Sequence, residues 1–332
     1  MPKVGERPRV GLVLGAGGVL GAAWMTGVLP SLAERLPCPV GDADVIVGTS
    51  AGSVIAAALR CGISIDEMVA YQRGEATGLL RDPGLQVLDG PLPPLPRLRI
   101  GSPRLVRETL LRPHRVHPWV AASGWLPHGR GQHVALRAML DAVQGQLPEE
   151  GLSAAERPGW VAGQTWIVAV DYDSGRRVIF GRDGAPAVSL PDAVVASCSI
   201  PGWYEPVTIG GRRYVDGGVR SATSLSLMAD AGLDEVYVLA PMASLVPDRP
   251  RATIERLERR LRRMMTRSLL KAAQQVRSRG TAVTVLTPGP EDLAAIGANL
   301  MDPRRRGAVL ETSLRTSPAA LAGSASSARA LC

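Results

Sequence analysis

Apolar and polar positions along this chain fall into two alternating kinds of run. Short, nearly continuous apolar segments are "RVGLVLG" from Arg9, "ADVIVG" from Ala43, "TWIVAVDY" from Thr165, "EVYVLAP" from Glu235 and "AVTVLTP" from Ala282. Runs of this kind, without polar alternation, mark strands covered on both faces. Helix-like runs lie between them, such as "SVIAAALR" after the second. The alternation predicts an α/β fold, a mainly parallel sheet with helices on both faces. No repeat at a fixed period accompanies it.

Three stretches depart from this pattern. Residues from about 75 to 151 are rich in proline and arginine, as in "DGPLPPLPRLRIGSPRLVRETLLRPHRVHPW". Proline has no N–H for a central ladder, so this segment is predicted to lie outside the sheet, as a cap or lid of short helices inserted after the second strand-helix pair. Residues 316–332, "TSPAALAGSASSARALC", offer little to bury and are expected to be disordered. In 251–279, Ile254, Leu257, Leu261, Met264, Met265 and Leu269 recur at helical spacing among ten Lys/Arg and two Glu. That predicts a basic amphipathic helix, either a solvated surface helix or one drawn to anionic lipid headgroups.

Composition narrows the class. The chain has 332 residues, 45% hydrophobic and 20% charged, enough for one large core. Its net charge of +8 is matched by the excess in 251–279 alone. Nothing else resembles a nucleic-acid module, and no nucleic-acid partner is expected. No apolar run reaches the roughly 18 residues a membrane span needs, and "MPKVGERPRV" lacks the features of a signal peptide. Cys38, Cys61, Cys198 and Cys332 are scattered, with neither metal nor disulfide spacing. A cytoplasmic location, with peripheral contact at the inner membrane surface as an option, is the expectation. No metal site or cofactor is predicted, and activity is expected to survive EDTA.

Candidate chemistry begins at "VGTSAGSVIAAAL", 47–59, where Ser50 sits in G-x-S-x-G between an apolar run and a helix-like run. A serine on a sharp strand-to-helix turn projects its hydroxyl, and Gly48 and Gly52 lack the Cβ that would block the close approach of strand and helix. The motif alone is a weak signal. In "LVLGAGGVLGAAWMTGVL", Gly15, Gly17, Gly18 and Gly21 link the first strand to a helix. A dinucleotide loop is disfavoured because Leu20 takes the last glycine position and no acid ends a second strand at the right distance. There is no G-K-[ST] for a phosphate loop. An oxyanion hole built from the Gly17 and Gly18 amides remains.

The base forces a choice. His114, His117, His128 and His133 all lie in the proline-rich insertion, so the Ser-acid-His order of α/β-hydrolases is excluded. A histidine reaching in from the lid stays as one alternative. The other is Asp216 in "RRYVDGGV", where Gly217 and Gly218 turn the chain abruptly and are expected to leave the carboxylate exposed at a strand end. Asp171 and Asp173 are rival carboxylates, although "DYDSG" reads as a hairpin turn.

Together, "GAGGVLG" at 15–21, "GTSAG" at 48–52 and "DGG" at 216–218 resemble the patatin-like phospholipases in order and spacing. "AVVASCSIPGWYEPVTIGGRRYVDGG", with Ala196-Ser197 and Pro201, and "GANLMDPRRR" add to the resemblance, which covers about 8–312. It implies a three-layer α/β/α sandwich and a serine lipid acyl hydrolase with a Ser-Asp dyad. Ser50 would be the nucleophile and Asp216 the base, with Gly17, Gly18 and the Ala51 amide around the oxyanion. The partner implied is a lipid or phospholipid. The family's basic residue before the last loop glycine is replaced by Leu20. An acyltransferase of similar fold and a non-catalytic lipid-binding protein are the competing functions.

Overall fold

A computed structural model describes residues 7–75, 94–145, 160–161, 163–246 and 253–329. All five apolar runs are strands: β1 (Val10–Leu14), β2 (Val45–Thr49), β5 (Gln164–Asp171), β9 (Glu235–Leu239) and β10 (Ala282–Leu286). They lie in the order β10-β9-β1-β2-β5, all parallel. β6 (Arg177–Phe180) and β8 (Arg212–Asp216) pair antiparallel with β5, and β7 (Val207–Ile209) with β8. The sheet is mainly parallel, with an antiparallel end.

Side chains of successive strand residues point to opposite faces. Leu12, Leu14, Ile46, Ile167 and Ala169 pack on one face with α1 (Gly18–Arg35), α2 (Ala51–Arg60) and α7 (Leu190–Cys198). Val13, Val45, Val47, Trp166 and Val168 pack on the other with α8 (Thr253–Arg277) and a short 3-10 stretch, Leu225–Asp230. Three α/β/α layers result, as anticipated.

Within the insertion, β3 (Arg97–Ile100) and β4 (Pro127–His128) make a two-stranded sheet of their own, outside the main one. α4 (Pro103–Leu111), α5 (Pro118–Gly124) and α6 (Val134–Gln144) supply the short helices, while α3 (Ile65–Arg73) precedes the insertion. Leu105, Val116 and Val120 form a small core with Val170, Tyr172 and Val215, which fastens the cap to the antiparallel end. Tyr172 adds a hydroxyl hydrogen bond of 2.8 Å to the Ser123 carbonyl. Residues 76–93 and 146–151 of the predicted insertion lie outside the described residues.

Two expectations are corrected here. The tail is helical through Arg329: after α9 (Pro290–Ile296), α10 (Arg306–Arg329) packs along α1. Its small residues are what allow this. Ser313 Oγ donates to the Trp24 carbonyl at 2.7 Å, Ser317 Oγ to that of Gly27 at 3.2 Å, and Leu321 is buried. Residues of the tail such as Ser317, expected to have little to bury, instead let two helices approach closely; residues 330–332 lie outside the described residues.

The basic helix is present as α8, but Arg262 is not on its polar face. It is 3% exposed, hydrogen-bonded to the Pro241 and Ala243 carbonyls and ion-paired with Glu258. A buried guanidinium is tolerable when its donors are satisfied in this way. The side chains of Ile254 and Leu257 lie outside the described residues.

Candidate active site

β5 aligns the two central groups. β2 pairs with it up to Thr49 opposite Val168, while β6 pairs along Ile167–Val170. These stretches overlap, so β2 and β6 occupy opposite edges. β8 pairs with Ala169–Asp171, which overlaps β6, and therefore shares the edge of β2. The two strands approach head to head. β2 ends opposite Val168 with Ser50 next in the chain, and β8 ends with Asp216 opposite Ala169. Consecutive residues of one strand thus set Ser50 against Asp216, although 166 positions separate them in sequence.

Ser50 has φ 52° and ψ −124°, one of two described non-glycine residues with positive φ. Such a backbone is strained by about 1–3 kcal/mol and persists only where its surroundings impose it. They do. The Ser50 amide donates to Ser197 Oγ at 2.9 Å, and Ser197 Oγ donates to the Val168 carbonyl at 2.7 Å. Ser53 Oγ closes the turn on the Ser50 carbonyl at 2.6 Å. The predicted steric requirement holds: a Cβ on Gly52 would lie 2.0 Å from the Leu14 carbonyl oxygen, and one on Gly48 2.6 Å from the Ser53 Cα. Ser50 stands at the N-terminus of α2, whose dipole favours negative charge there.

Asp216 is buried, not exposed as expected. The 3-10 turn Gly217–Val219 curls back, and the Gly218 amide donates to Asp216 Oδ1 at 2.6 Å. The Asp216 amide is anchored to the Ser199 carbonyl at 2.9 Å, just beyond α7. Burial pushes its carboxyl up to about 6, against the opposing pulls of the Ser50 side chain and the Gly218 amide. The rival carboxylates are structural. Asp171 accepts the Asp173 and Ser174 amides in the hairpin turn and pairs with Arg212, while Asp173 pairs with Arg213.

The glycine loop ends at the N-terminus of α1. Gly18 has φ +59°, and a Cβ there would sit 2.7 Å from Met301 Sδ, so glycine is required. Gly15 and Ala16 donate to Leu239 and Ala222 carbonyls, and the Gly21 amide is taken up by Gly17. Among the described residues the amides of Gly17 and Gly18 donate to no protein acceptor, and both residues line a cavity with Ser50 and Asp216. Leu20, at the family's basic position, points into the core.

That cavity encloses about 700 Å³. Cap residues (His117, Trp119, Leu126) and α8 residues (Leu261, Met264, Met265) complete its walls. A second cavity of about 170 Å³ meets it at Ser50 and Gly18 and is lined by Ala51, Val54, Leu136 and Arg306. Of the histidines, His117 reaches the larger cavity, but no hydrogen bond joins it to Ser50 or Asp216, and its Nδ1 is buried without a partner. Burial and Arg220 hold its pKa below the usual value, so it is neutral near pH 7. His133 stacks on Tyr204 in the smaller cavity. Among the described residues no cluster of His, Cys, Asp or Glu has the makings of a metal site.

Sequence reasoning assigned no role to Ser197 and Ser199. Their block had been singled out only by resemblance, and nothing in a sequence says which serine of "ASCS" braces which strand end. It also missed that α8 lines the cavity beneath the cap, since that helix read as a surface feature.

The family model of the patatin-like phospholipases matches residues 12–229. Two solved structures are similar at low identity: VipD from Legionella pneumophila (15% identical, TM-score 0.40, covering 92% of this chain and 67% of that one), and the type III effector protein ExoU (18%, TM-score 0.38, covering 96% and 53%). The chain spans about two thirds of the length of the first and about half of the second. Because the family match takes in most of the chain, including the elbow, the glycine loop from its first strand and the strand-end aspartate, the chain belongs to the patatin-like phospholipase family.

Proposed function

We propose that this protein is a serine lipid acyl hydrolase, of phospholipase A, lysophospholipase or esterase type, working through a Ser50–Asp216 dyad. The observation that carries the reading is the head-to-head junction on β5, which sets a strained serine against a buried carboxylate on one cavity. Asp216 takes the proton of Ser50 Oγ as that oxygen bonds to the ester carbonyl carbon. The Gly17 and Gly18 amides, with that of Ala51 behind the serine, receive the oxyanion. The ester C–O bond then breaks, and the alcohol leaves with the proton from Asp216. Water, deprotonated by Asp216, then bonds to the acyl carbon, and Ser50 Oγ leaves with that proton, releasing the fatty acid. A carboxyl near 6 is a stronger base than an ordinary aspartate and still ionised at neutral pH. No step calls on a metal.

The substrate is taken from a lipid surface. Met264 and Leu261 of α8 face the cavity, while Arg260, Arg263 and Arg267 of the same helix are exposed beside it. Such a face suits the anionic inner surface of a membrane. Among the described residues no helix is long and apolar enough to span a bilayer.

The test is hydrolysis of p-nitrophenyl butyrate and a phospholipid panel by wild type, Ser50→Ala, Asp216→Asn and His117→Ala, with folding checked by circular dichroism. The first two substitutions should cost about 10³-fold or more in kcat, and His117→Ala less than about tenfold. Equal turnover in all four would mean that Ser50 and Asp216 take no part in it, and no turnover above background in any would leave a lipid-binding protein. Loss in His117→Ala alone would make the cap histidine the base.

A further inference from the structure

We infer that the two cavities meeting at Ser50 divide the substrate between them: the acyl chain transferred to Ser50 occupies the smaller, and the leaving alcohol with the rest of the lipid occupies the larger. The assignment rests on the Ser50–Asp216 reading above and follows from where the proton must go. Once Ser50 Oγ has bonded to the carbonyl carbon, the departing alkoxide oxygen needs the proton held on Asp216, within hydrogen-bond reach. Asp216 and Gly218 border the larger cavity and not the smaller. The leaving oxygen therefore lies on the larger side. The oxyanion is drawn to the free amides at Gly17 and Gly18, so the remaining substituent of the carbon, its acyl chain, exits through the smaller cavity. Gly18, Ser50, Ile200 and Met301 are the shared walls where the two meet.

Size then sets specificity. At the roughly 30 Å³ that a water occupies in the liquid, a size a methylene about matches, the 170 Å³ of the smaller cavity holds an acyl segment of roughly six carbons. Val54, one turn along α2 from Ser50, and Leu136 and Met139 on α6 are its apolar walls. Arg306 is its one charged wall among the described residues, held by the Gln72 carbonyl and over the Tyr71 ring. Covering a guanidinium with hydrocarbon costs desolvation, so a chain long enough to reach it gains nothing further there. The larger cavity, about 700 Å³, has room for a bulky alcohol carrying a second chain. Its own methionines (Met242, Met264, Met265), with Met301 on the boundary, adapt to varied shapes.

The experiment compares kcat/KM for p-nitrophenyl acetate, hexanoate and dodecanoate, and for a 1-hexanoyl-2-palmitoyl phospholipid. Wild type should favour hexanoate among the three aryl esters. Val54→Phe and Leu136→Trp, filling the smaller cavity from two different helices, should lower the hexanoate-to-acetate ratio about tenfold or more. Met264→Trp, narrowing the larger cavity, should instead lower the ratio of phospholipid to p-nitrophenyl hexanoate. The p-nitrophenol burst counts competent sites in each variant, so a loss of folded protein does not enter the ratios. The opposite pattern, with Met264→Trp setting acyl length, overturns the assignment, as do unchanged ratios in both filling variants. Absence of turnover by wild type on every ester would instead remove the hydrolase reading itself.

Discussion

At Ser50 and Asp216 the fold holds two residues in states they would not choose alone: a serine at φ 52° and a carboxyl pushed up to about 6. Each state has a measurable consequence. Ser50→Gly relieves the backbone strain and should stabilise the protein by about 1–3 kcal/mol in urea denaturation while abolishing turnover. For Asp216, the unfolded chain has the ordinary value of 3.8, below the folded one, so unfolding favours proton release. Its contribution to stability is greatest below pH 4 and falls as pH rises through 6. Asp216→Asn removes that titration. The variant should gain on wild type above pH 6, by up to about 3 kcal/mol, and match it more closely near pH 4. If Asp216 is the base, as proposed, activity has the opposite trend, because the base must be ionised: kcat should climb with pH through about 6 and level off.

Among the elements, the strand-to-helix turn at Ser50 is where sequence and structure agree most closely, because its requirement is steric and local. Gly48 and Gly52 were legible as the two positions flanking Ser50 that cannot carry a Cβ. Gly52→Ala would drive a methyl into the β1 backbone and should cost more than about 3 kcal/mol. Gly62 gives the comparison. It has φ +78° but open space around it, so Gly62→Ala should cost only about 1–2 kcal/mol. Equal losses in the two variants, read from chemical denaturation, would mean the close approach of α2 to β1 is not what requires glycine. The bracing of the elbow by α7 was not legible. Ser197 acts through a hydrogen bond to a residue 147 positions away, and no local pattern encodes such a partner.

For the molecule as a whole, α8 links the core, the cavity and the surface. Leu269, Ala273 and Val276 pack on the sheet, Leu261, Met264 and Met265 line the larger cavity, and Arg260, Arg263, Arg267 and Lys271 are exposed. Exposed Trp119 and Leu126 of the cap border the same cavity. A membrane docked on this rim would feed lipid directly to Ser50. Binding to phosphatidylglycerol vesicles, measured by flotation at low salt, should exceed binding to phosphatidylcholine vesicles. Replacing Arg260, Arg263 and Arg267 by Gln should weaken it by about 1 kcal/mol per residue. At about 1 M salt, where screening acts within 3 Å, the difference between the two vesicles should vanish. Binding that ignores both lipid charge and salt would assign the basic face to solvent alone.

What the sequence determined by itself was what depends on neighbours along the chain. Strands buried on both faces read as apolar runs, prolines kept the insertion out of the sheet, and glycine spacing marked the elbow and the loop. Contacts between distant segments were decided only by the tertiary structure. The tail became a helix because α1 offered it a surface, Arg262 left the polar face because two carbonyls of the loop after β9 could satisfy it, and Asp216 went from an expected exposed turn to a buried partner of Ser50. The physical reason is the same each time. Burial and hydrogen bonding are set by what packs opposite a residue, and for Asp216 that is a strand end that β5 alone brings within reach.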